Sequence, residues 1–382
     1  MNVLEIHIVQ SVPAANLNRD DAGFPKQVTY GGVPRIRLSS QSQKHAVRRL
    51  FRERFDRSEL GVRTRKLARA LAEYFPDTPI EDLEAALELL GFKLKKGMLD
   101  TLVFLSWGQV GELADLLKQH WKAIESTIVA NRAAQAAAEG DGKKKAAAKK
   151  SLPKEFVKQV QDLLLNAEAG DIALFGRMMA SLPEGNVEAA AHVAHAFSTH
   201  AAFPESDFFI TTDDLAGPGE ASAGMMGERS YSAATLYRYA VVDHSQLVRG
   251  LGGDEELASQ FLRAFTEAFV KTLPRGMQSS HAAYTLPEAV FLVAHAGEPW
   301  NLAGAFERPV TATDGGYALP SVYAMLRRWQ DLDTVYGPRP ATAARLVVLP
   351  SLGVKLPEGT GIETATRLST AIDDVVGAVS GG

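Results

Sequence analysis

The chain has 382 residues, no cysteine and a formal net charge of −4 at pH 7. The absence of cysteine excludes disulfides, thiolate metal ligands and cysteine nucleophiles. Hydrophobic residues make up 46% and charged residues 23%, a balance that is typical of a globular protein and excludes a wholly disordered one. No apolar run approaches the ~20 residues that cross a bilayer, and the N-terminal sequence lacks signal-peptide order, so we expect a cytoplasmic protein.

Positive charge is concentrated in the first fifth of the chain. Residues 1–70 hold 14 lysines and arginines against 6 acidic residues, an excess of eight positive charges. Since the whole chain carries −4, the remaining 312 residues sum to −12. A basic segment in an acidic chain indicates a localised surface for a polyanion such as nucleic acid.

The first predicted element is a strand over residues 2–11, in which polar and aliphatic residues alternate as in a half-buried strand. A turn-rich loop follows over 12–34 and carries Arg19 and Lys26. Loops of this length in compact proteins tend to be functional.

A second strand and a helix follow this loop. Arg35 and Arg37 lie two residues apart in a β-prone run, so both side chains should point to one face of the strand. The helix is predicted to begin at Ser40, which with Gln43 three residues later fits a capping box. A helix N-terminus offers unpaired amide groups and the positive end of a dipole.

The polar side chains around this helix start predict a phosphate site. Lys44 and Arg48 lie one turn apart on the helix and add two cations beside its N-terminus. Arginines near a capped helix are also common on solvated surfaces, so a surface without a ligand is the alternative. The residues predicted to bind a phosphate backbone here are Arg19, Lys26, Arg35, Arg37, Ser39, Ser40, Gln41, Lys44 and Arg48.

Residues 60–170 are predicted to form an inserted helical lobe. Helical patterns cover 63–75, 80–90, 109–138 and 152–167. Within the lobe, residues 133–150 are of low complexity and lysine-rich, which predicts a mobile loop or a frayed helix end. Its lysines could attract nucleic acid nonspecifically, but a solvated loop without a specific role is the favoured alternative.

The sheet is predicted to resume after the lobe. Residues 171–175 indicate a strand, and 189–200 are ambiguous between strand and helix, with a strand preferred. His192, His195 and His200 do not match any metal-ligand spacing of a helix or strand, so a metal site is not expected.

An irregular excursion is predicted over 201–229, before a strand over 231–242. Met225 and Met226 would give this excursion an apolar tip. Packing into the core is the alternative for three phenylalanines of the excursion, Phe203, Phe208 and Phe209. The later predicted elements are a helix over 255–273, a strand over 289–295, a helix over 320–332 and a strand over 345–349. From residue 377 onward the residues are mostly small, and no regular element is predicted there.

Motifs for catalysis are missing from the sequence. The chain contains no P-loop, no dinucleotide-binding glycine motif and no Gly-x-Ser-x-Gly, so neither catalysis nor a cofactor is expected. The alternative of a different class is a metal-dependent nuclease acting on RNA through Asp20, Asp21 and histidines near the basic strand. Neighbouring carboxylates usually point apart, which weakens that alternative.

Four blocks of unusual sequence occur in order along most of the chain. They are Leu-Asn-Arg-Asp-Asp with Gly-Gly-Val and Arg-Leu-Ser-Ser-Gln-Ser over 17–42, Gly-Asp-Ile-Ala-Leu-Phe-Gly-Arg-Met over 170–178, Ala-His-Ala-Phe-Ser-Thr-His over 194–200, and Tyr-Arg-Tyr-Ala over 237–240. With these blocks the chain resembles the CasC family, the repeated backbone subunit of the type I-E CRISPR surveillance complex called Cascade.

The resemblance implies an α+β fold with three parts. Residues 1–59 and 171–382 would form an RRM-like (ferredoxin-like) palm. Residues 60–170 would form the inserted helical lobe, or fingers. Residues 201–229 would form a thumb-like extension, which in this family reaches over RNA held by the neighbouring copy and displaces a nucleotide.

The resemblance also implies a noncatalytic, guide-RNA-binding role in antiviral defence. Copies of the chain would assemble as a helical filament along crRNA, hold its phosphates and leave its bases free to pair with target DNA. The implied partners are crRNA, other copies of the chain, other Cascade subunits and target DNA paired with the crRNA, with no membrane, metal or cofactor. Four further residues join the RNA-binding set: Arg177, Met178, Met225 and Met226.

Overall fold

The computed structural model describes residues 2–140, 150–165, 169–179, 183–212, 214–215, 223–313, 316–337, 341–356 and 359–381. The chain divides into two compact units. The first unit consists of Met1–Glu53, Ala191–Val248 and Asp254–Gly382, and the second of Arg54–Ala190 and Arg249–Gly253. Each unit contains helices and strands, which confirms the predicted α+β class. The boundaries predicted for the palm and the lobe stay predictions.

The regular elements in the described ranges are as follows. The strands are β1 (Asn2–Ala15), β2 (Gln27–Tyr30), β3 (Val33–Leu38), β4 (Gly61–Thr64), β5 (Leu94–Lys95), β6 (Met98–Leu99), β7 (Val103–Ser106), β8 (Ala191–Val193), β9 (Ala196–Ser198), β10 (Glu205–Thr212), β11 (Ala223–Asp243), β12 (Ala289–Ala296), β13 (Ala341–Val348) and β14 (Glu363–Thr364). The helices are α1 (Ser40–Phe51), α2 (Leu67–Ala72), α3 (Ile80–Leu89), α4 (Trp107–Gln119), α5 (Trp121–Gly140), α6 (Lys154–Leu165), α7 (Gly170–Phe175), α8 (His244–Gly250), α9 (Glu255–Lys271), α10 (Gln278–His281), α11 (Ala318–Tyr336) and α12 (Leu368–Ser380).

One sheet organises the first unit. Its order is β14-β13-β12-β1-β11-β9-β3-β2, and β8 and β10 also pair with β11. The strand β1 lies between β11 and β12 and is antiparallel to both. Glu5 and His7 on β1 are as buried as their aliphatic neighbours, so the half-buried strand predicted here is wrong. These polar side chains can be buried because they interact with one another and with other buried groups. His295, for example, donates a hydrogen bond to the Glu5 carboxylate at 2.7 Å.

Aromatic side chains pack the sheet of the first unit against its helices. The Trp329 ring of α11 meets the Phe291 ring of β12 edge to face at 5.2 Å. On α9, Phe265 and Phe269 lie one turn apart and are fully buried. This periodic apolar stripe is why the predicted helix over 255–273 agrees closely with α9.

The C-terminal segment forms the helix α12, although the sequence predicts no regular structure from 377 onward. Its buried side chains Ile372, Val375, Val376 and Val379 recur at helical spacing. Small residues at the end of the chain conceal this stripe in the sequence. Packing of an apolar face, more than intrinsic propensity, stabilises helices in proteins, and α12 packs on α9 and β13.

The second unit is mainly helical, with two short two-stranded sheets, β4-β7 and β5-β6. Residues 171–175, predicted as a strand, belong to the helix α7. The Asp171 carboxylate accepts a hydrogen bond from the Gly61 amide at 2.7 Å. A short, fully buried run carries no period that separates a helix from a strand, which explains the wrong prediction.

Two predicted helices of the second unit are divided differently. The pattern over 63–75 forms the strand β4 and then the helix α2. The pattern over 109–138 forms α4 and α5, which are separated at His120, the C-cap residue of α4. Of the low-complexity segment predicted over 133–150, residues 133–140 belong to the helix α5, and 141–149 lie outside the described residues. None of the described helices combines the length and apolar character needed to cross a membrane.

The predicted irregular excursion is largely a regular hairpin. β10 pairs with the first nine residues of β11, from Glu205 opposite Tyr231 to Thr212 opposite Ala223, with one register shift. Phe203 and Phe208 are exposed, so the core-packing alternative is wrong for both. Residues 213 and 216–222 of the excursion lie outside the described residues.

Candidate nucleic-acid interface

The turn from β3 into α1 is held by a serine cap and by the loop that precedes it. Ser39, not Ser40, is the N-cap residue: its hydroxyl accepts a hydrogen bond from the Ser42 amide at 3.2 Å. The capping box predicted for Ser40 and Gln43 is therefore wrong, because the cap lies one residue earlier and the Gln43 side chain bonds the Ala194 carbonyl and Arg238 instead. Asn18 Oδ1 accepts a hydrogen bond from the Ser39 amide at 2.7 Å, which ties the preceding loop to the helix start.

Most amides at the start of α1 are already paired within the protein. The Ser40 amide donates to His195 Nδ1 at 3.1 Å, and the Gln43 amide donates to the Ser39 carbonyl at 3.2 Å. Within the described residues, the Gln41 amide alone among the first four helical amides has no partner. A phosphate at this position would therefore be bound mainly by side chains rather than by the helix terminus.

His195 is a functional candidate that sequence reasoning did not place in the site. Its Nδ1 also accepts a hydrogen bond from Arg37 Nη1 at 3.3 Å, so the imidazole joins the end of β3 to the start of α1. Burial lowers the pKa of His195, and the charges of Arg37 and Lys26 lower it further. The neutral ring is therefore the form that accepts these two bonds.

Backbone pairing brings three of the predicted cations to this turn. The Arg19 residue forms a bridge with Pro25, and the Lys26 amide donates to the Asn18 carbonyl at 2.9 Å. The Arg37 amide in turn donates to the Lys26 carbonyl at 2.7 Å. Arg19 is exposed, and Lys26 and Arg37 are partly exposed, so their charges are accessible to a ligand.

The first two turns of α1 complete this group. Gln41 is exposed, and its side chain accepts a hydrogen bond from the Ser40 hydroxyl at 3.3 Å. Lys44 and Arg48 are partly buried, and burial lowers the pKa of Lys44. We refer to the cations Arg19, Lys26, Arg37, Lys44 and Arg48 with the turn residues Ser39, Ser40 and Gln41 as the basic turn.

Arg35 does not belong to this accessible set. Its guanidinium is fully buried and donates to the carbonyls of Tyr30, Ser198 and Phe306 at 3.1, 3.0 and 2.8 Å. Burial lowers the pKa of Arg35. The arginine holds the strand beside the basic turn in place, because each of its three guanidinium nitrogens donates to a backbone oxygen. A strand period identifies a shared face but not the depth of each side chain on it.

The family of the chain follows from the similarity of its sequence to a known family. The family described as CT1975-like protein matches residues 4–374. The chain belongs to this family. No curated protein matches the chain.

Two solved structures contain chains similar to this CT1975-like chain. A chain of "CRISPR RNA-guided surveillance complex, pre-nicking" is 28% identical with a TM-score of 0.85, and the match covers 99% of this chain and 100% of that chain. A chain of "CRISPR RNA-guided surveillance complex" is 26% identical with a TM-score of 0.74, over 98% and 99% of the two chains. These matches and the family assignment confirm the predicted resemblance to a Cascade backbone subunit.

Arg177 and Met178 of the CT1975-like chain lie in its second unit. The Arg177 guanidinium is buried, and its Nε donates to the Gly185 carbonyl at 2.7 Å while its Nη2 donates to the Leu164 carbonyl at 2.9 Å. Burial lowers the pKa of Arg177. Arg177 thus has a structural role within its unit, whereas the neighbouring Met178 is 81% exposed.

Met225 and Met226 are exposed neighbours on the hairpin. They pair across it with Thr211 and Ile210, and Ile210 is exposed as well. Successive residues of a strand point to opposite faces, so the two methionines place apolar surface on both sides of the hairpin. Deeper in the hairpin, Phe209 is covered by the Arg229 guanidinium, which lies 4.5 Å from the ring centroid.

One of the two carboxylates in the nuclease alternative, that of Asp20, has a structural role. Asp20 Oδ1 accepts hydrogen bonds from the amides of Ala22 and Phe24 at 3.0 and 2.9 Å, which closes a turn. His200 is also engaged, with its ring stacked on Tyr317 at 3.7 Å. Throughout the described ranges, no three His, Asp or Glu side chains are grouped so that they could hold a metal ion.

Proposed function

We propose that this CT1975-like chain is a noncatalytic backbone subunit of a type I-E surveillance complex and binds guide RNA through its phosphates. The observation that carries the proposal is the basic turn. There Arg37 and Lys26 converge on a strand-to-helix junction that Asn18 and His195 hold together. Cations grouped on a fixed turn can neutralise the phosphates of an RNA backbone and hold them in position.

The chemistry of the basic turn favours binding without sequence readout. Lysine and arginine neutralise phosphates, and the polar groups of Ser40 and Gln41 suit a phosphate or a ribose hydroxyl. Such contacts position a strand but carry no base information. The bases of the guide would stay free to pair with target DNA, so that base pairing and not the protein reads the sequence.

The fold supplies a scaffold that suits this role. The antiparallel sheet around β1, with α1 packed on α9, would be an RRM-like (ferredoxin-like) palm. The helices of the second unit would be the fingers lobe. Copies of the chain would assemble along the crRNA beside other Cascade subunits, since the chain itself shows no internal repeat.

The hairpin of β10 and β11 is the proposed thumb. Its apolar side chains Phe208, Met225 and Met226 are exposed, so the other described residues of the hairpin do not cover them. In an assembled filament they would insert beside a base of RNA held by the adjacent copy. Unstacking a base costs a few kcal/mol, which burial of these side chains would offset.

Copurified RNA tests this proposal. The full chain is purified from cells that express a CRISPR array, treated with ribonuclease, and the protected RNA is sequenced. We expect guide fragments whose lengths increase by a regular step, because each copy covers the same number of nucleotides. Absence of guide RNA, or fragments of irregular length, would argue against a repeating backbone subunit.

Incubation with Mg²⁺ separates the proposal from the nuclease alternative. Single-stranded RNA should remain intact in the presence of the purified chain and Mg²⁺. If the RNA is cleaved, and the double variant Asp20→Asn/Asp21→Asn abolishes the cleavage, the chain is a nuclease. The same variant should bind RNA like the unmodified chain if these carboxylates only shape the loop.

A further inference from the structure

A loop next to the basic turn has no role in the function proposed so far. Residues 272–288, here called the tyrosine loop, connect α9 to β12 and contain the short helix α10. Met277 and Ala282, on either side of α10, both adopt a left-handed conformation with φ of 48°. Non-glycine residues rarely adopt this conformation, and they keep it only where the surrounding structure enforces it.

Hydrogen bonds to β1 fix the second half of the tyrosine loop. Gln10 Nε2 donates to the Thr285 carbonyl at 2.8 Å, and the Thr285 hydroxyl donates to the Ser11 carbonyl at 2.8 Å. The Glu288 carboxylate accepts a hydrogen bond from the Ser11 amide at 2.7 Å. The loop is therefore rigid next to the sheet, although it is not a regular element.

Burial alternates along this half of the loop. Ala283 and Pro287 are buried and Thr285 is held by its hydrogen bonds, whereas Tyr284 is 70% exposed and Leu286 is 64% exposed. The alternation places Tyr284 and Leu286 on one outward side. The described residues provide neither a ring contact nor a side-chain hydrogen bond for Tyr284. A rigid backbone thus presents an aromatic ring to solvent.

The tyrosine loop lies between the basic turn and the base of the hairpin. The Gly276 amide donates to the Leu17 carbonyl at 3.2 Å, next to Asn18 and Arg19. A side chain at position 276 would overlap the Leu17 carbonyl oxygen, so the two segments are in direct contact. Near its other end, the His281 ring lies 6.2 Å from the ring of Tyr231, where β11 leaves the hairpin.

We infer that Tyr284 stacks on a base of the RNA strand whose phosphates occupy the basic turn. Surfaces that bind single strands combine cations for the backbone with aromatic rings for the bases, and the basic turn provides only the cations. Leu286 extends the same surface with apolar area for the flank of the stacked nucleotide. The inference rests on the proposed function and assigns to it a base contact that does not discriminate between bases.

The ring is well suited to this contact because its backbone is already ordered. Ordering a flexible loop on binding would cost conformational entropy, whereas Tyr284 has only its side-chain torsions to lose. Base edges remain open when a ring covers a base face. A stacked nucleotide could therefore still pair with a complementary strand.

The test compares three variants of the full chain by fluorescence anisotropy with a short single-stranded RNA that contains 2-aminopurine. Tyr284→Ala should weaken binding about tenfold, within the range measured for loss of one base–aromatic stack, and should reduce 2-aminopurine quenching. Tyr284→Phe keeps the ring and should bind like the unmodified chain. Tyr336→Ala is the matched control, because Tyr336 is 74% exposed on α11 and should leave affinity unchanged.

Salt dependence and abasic RNA distinguish stacking from other causes. The slope of log affinity against log salt should be the same for Tyr284→Ala and the unmodified chain, because no phosphate contact is lost. An abasic RNA of equal length should bind both chains equally. Equal affinity of both chains for the normal RNA would overturn the stacking role, as would an equal loss on abasic RNA. Failure of the unmodified chain to bind either RNA would instead overturn the proposed function itself.

Discussion

Gln43 and Arg238 meet beneath the start of α1, where Gln43 Oε1 accepts a hydrogen bond from Arg238 Nε at 3.2 Å and both side chains are buried. Gln43 Nε2 also donates to the Ala194 carbonyl at 3.0 Å, directly before His195. The other Arg238 donors bond Gln10 Oε1 at 2.6 Å and backbone carbonyls. No carboxylate is among these partners, and burial lowers the pKa of Arg238 to about 9.

Replacement of Gln43 should therefore destabilise the protein. Gln43→Leu leaves Arg238 Nε and the Ala194 carbonyl without their partner, and an unsatisfied buried group costs about 1–3 kcal/mol. The free energy of unfolding from urea titration should fall by about that amount. Gln41→Leu, on the same helix but exposed, is the control and should change it by less than about 0.5 kcal/mol. Equal stability of the two variants would contradict the role assigned to Gln43.

Removal of two cations from the basic turn should weaken RNA binding without regard to sequence. The variant Arg19→Ala/Lys44→Ala loses up to two phosphate contacts, and each contact contributes ~0.7 to the slope of log affinity against log salt for single strands. Binding isotherms at several salt concentrations should show a shallower slope for every guide sequence. The control Arg327→Ala/Lys355→Ala removes one exposed arginine and one exposed lysine elsewhere in the first unit. A slope that changes as much in the control would mean that overall charge, not the basic turn, binds RNA.

The turn residues should separate into a capping residue and a contact residue. Ser39→Ala removes the helix cap and should lower the free energy of unfolding by ~1 kcal/mol, whereas Ser39→Thr keeps a capping hydroxyl and should not. Gln41→Ala should leave stability unchanged and weaken RNA binding. Thermal melts and RNA titrations of the same preparations measure both quantities. A strict proportion between lost stability and lost affinity across these variants would refute a direct contact by Gln41.

The exposed methionines of the hairpin should contribute to RNA binding only when several copies of the chain assemble on one RNA. The variant Met225→Ser/Met226→Ser should leave the melting temperature unchanged, since both side chains are 61–62% exposed. Binding to a long RNA should weaken far more than binding to a short oligonucleotide that holds one copy, because the lost contact lies between copies. Val335→Ser, also exposed and apolar, is the control. An equal loss on both RNA lengths would place these methionines in the binding site of their own copy.

The buried carboxylate of Glu5 should make stability depend on pH. Burial alone would raise its pKa, but hydrogen bonds with His295 and His7 outweigh burial and hold the pKa of Glu5 well below its ordinary value of 4.5. The folded chain thus binds fewer protons than the unfolded chain in acid. The contribution of Glu5 is fully present above pH 4.5 and is lost as the pH falls toward the lower pKa of the folded state.

Urea titrations of Glu5→Gln measure this contribution. At pH 7 the variant should be less stable by about 1.5–3 kcal/mol, because a neutral amide replaces the ionised acceptor of the hydrogen bonds from His295 and Tyr239. The difference from the unmodified chain should shrink as the pH is lowered below 4.5. Glu228→Gln removes an exposed carboxylate and should show no such convergence. A constant difference across this pH range would mean that Glu5 acts only through packing.

Long periodic segments made much of the fold predictable from the sequence. The helix predicted over 255–273 agrees with α9, which ends at Lys271. The strand predicted over 231–242 agrees with β11 at its end, Asp243, but β11 begins eight residues earlier than predicted, at Ala223. Short buried segments were not predictable, because α7 contains no complete period and α12 combines its stripe with many small residues. The hairpin was predicted as irregular because glycine and proline obscure the pattern of its strands.

The basic turn was predictable in composition but not in its internal connections. Sequence placed Arg37, Ser39 and Lys44 next to one another, since they are close along the chain. It could not show that Arg35 is used inside the protein, because burial depends on the distant carbonyls of Ser198 and Phe306. The partnership of Ser40 with a histidine 155 residues away arises only through the pairing of β3 with β9.

The 21-residue strand β11 begins in the exposed hairpin and ends beside β1 at the centre of the sheet. At about 3.3 Å per residue its contour is roughly 70 Å, and one unbroken strand therefore joins the hairpin to the core. Amide hydrogen exchange should be fast near Met225 and should slow progressively toward Val242, with no boundary at which the hairpin separates as a unit. A force applied to the hairpin is therefore transmitted along the backbone of β11 to the part of the sheet that is best protected from hydrogen exchange. That part of the sheet anchors the hairpin.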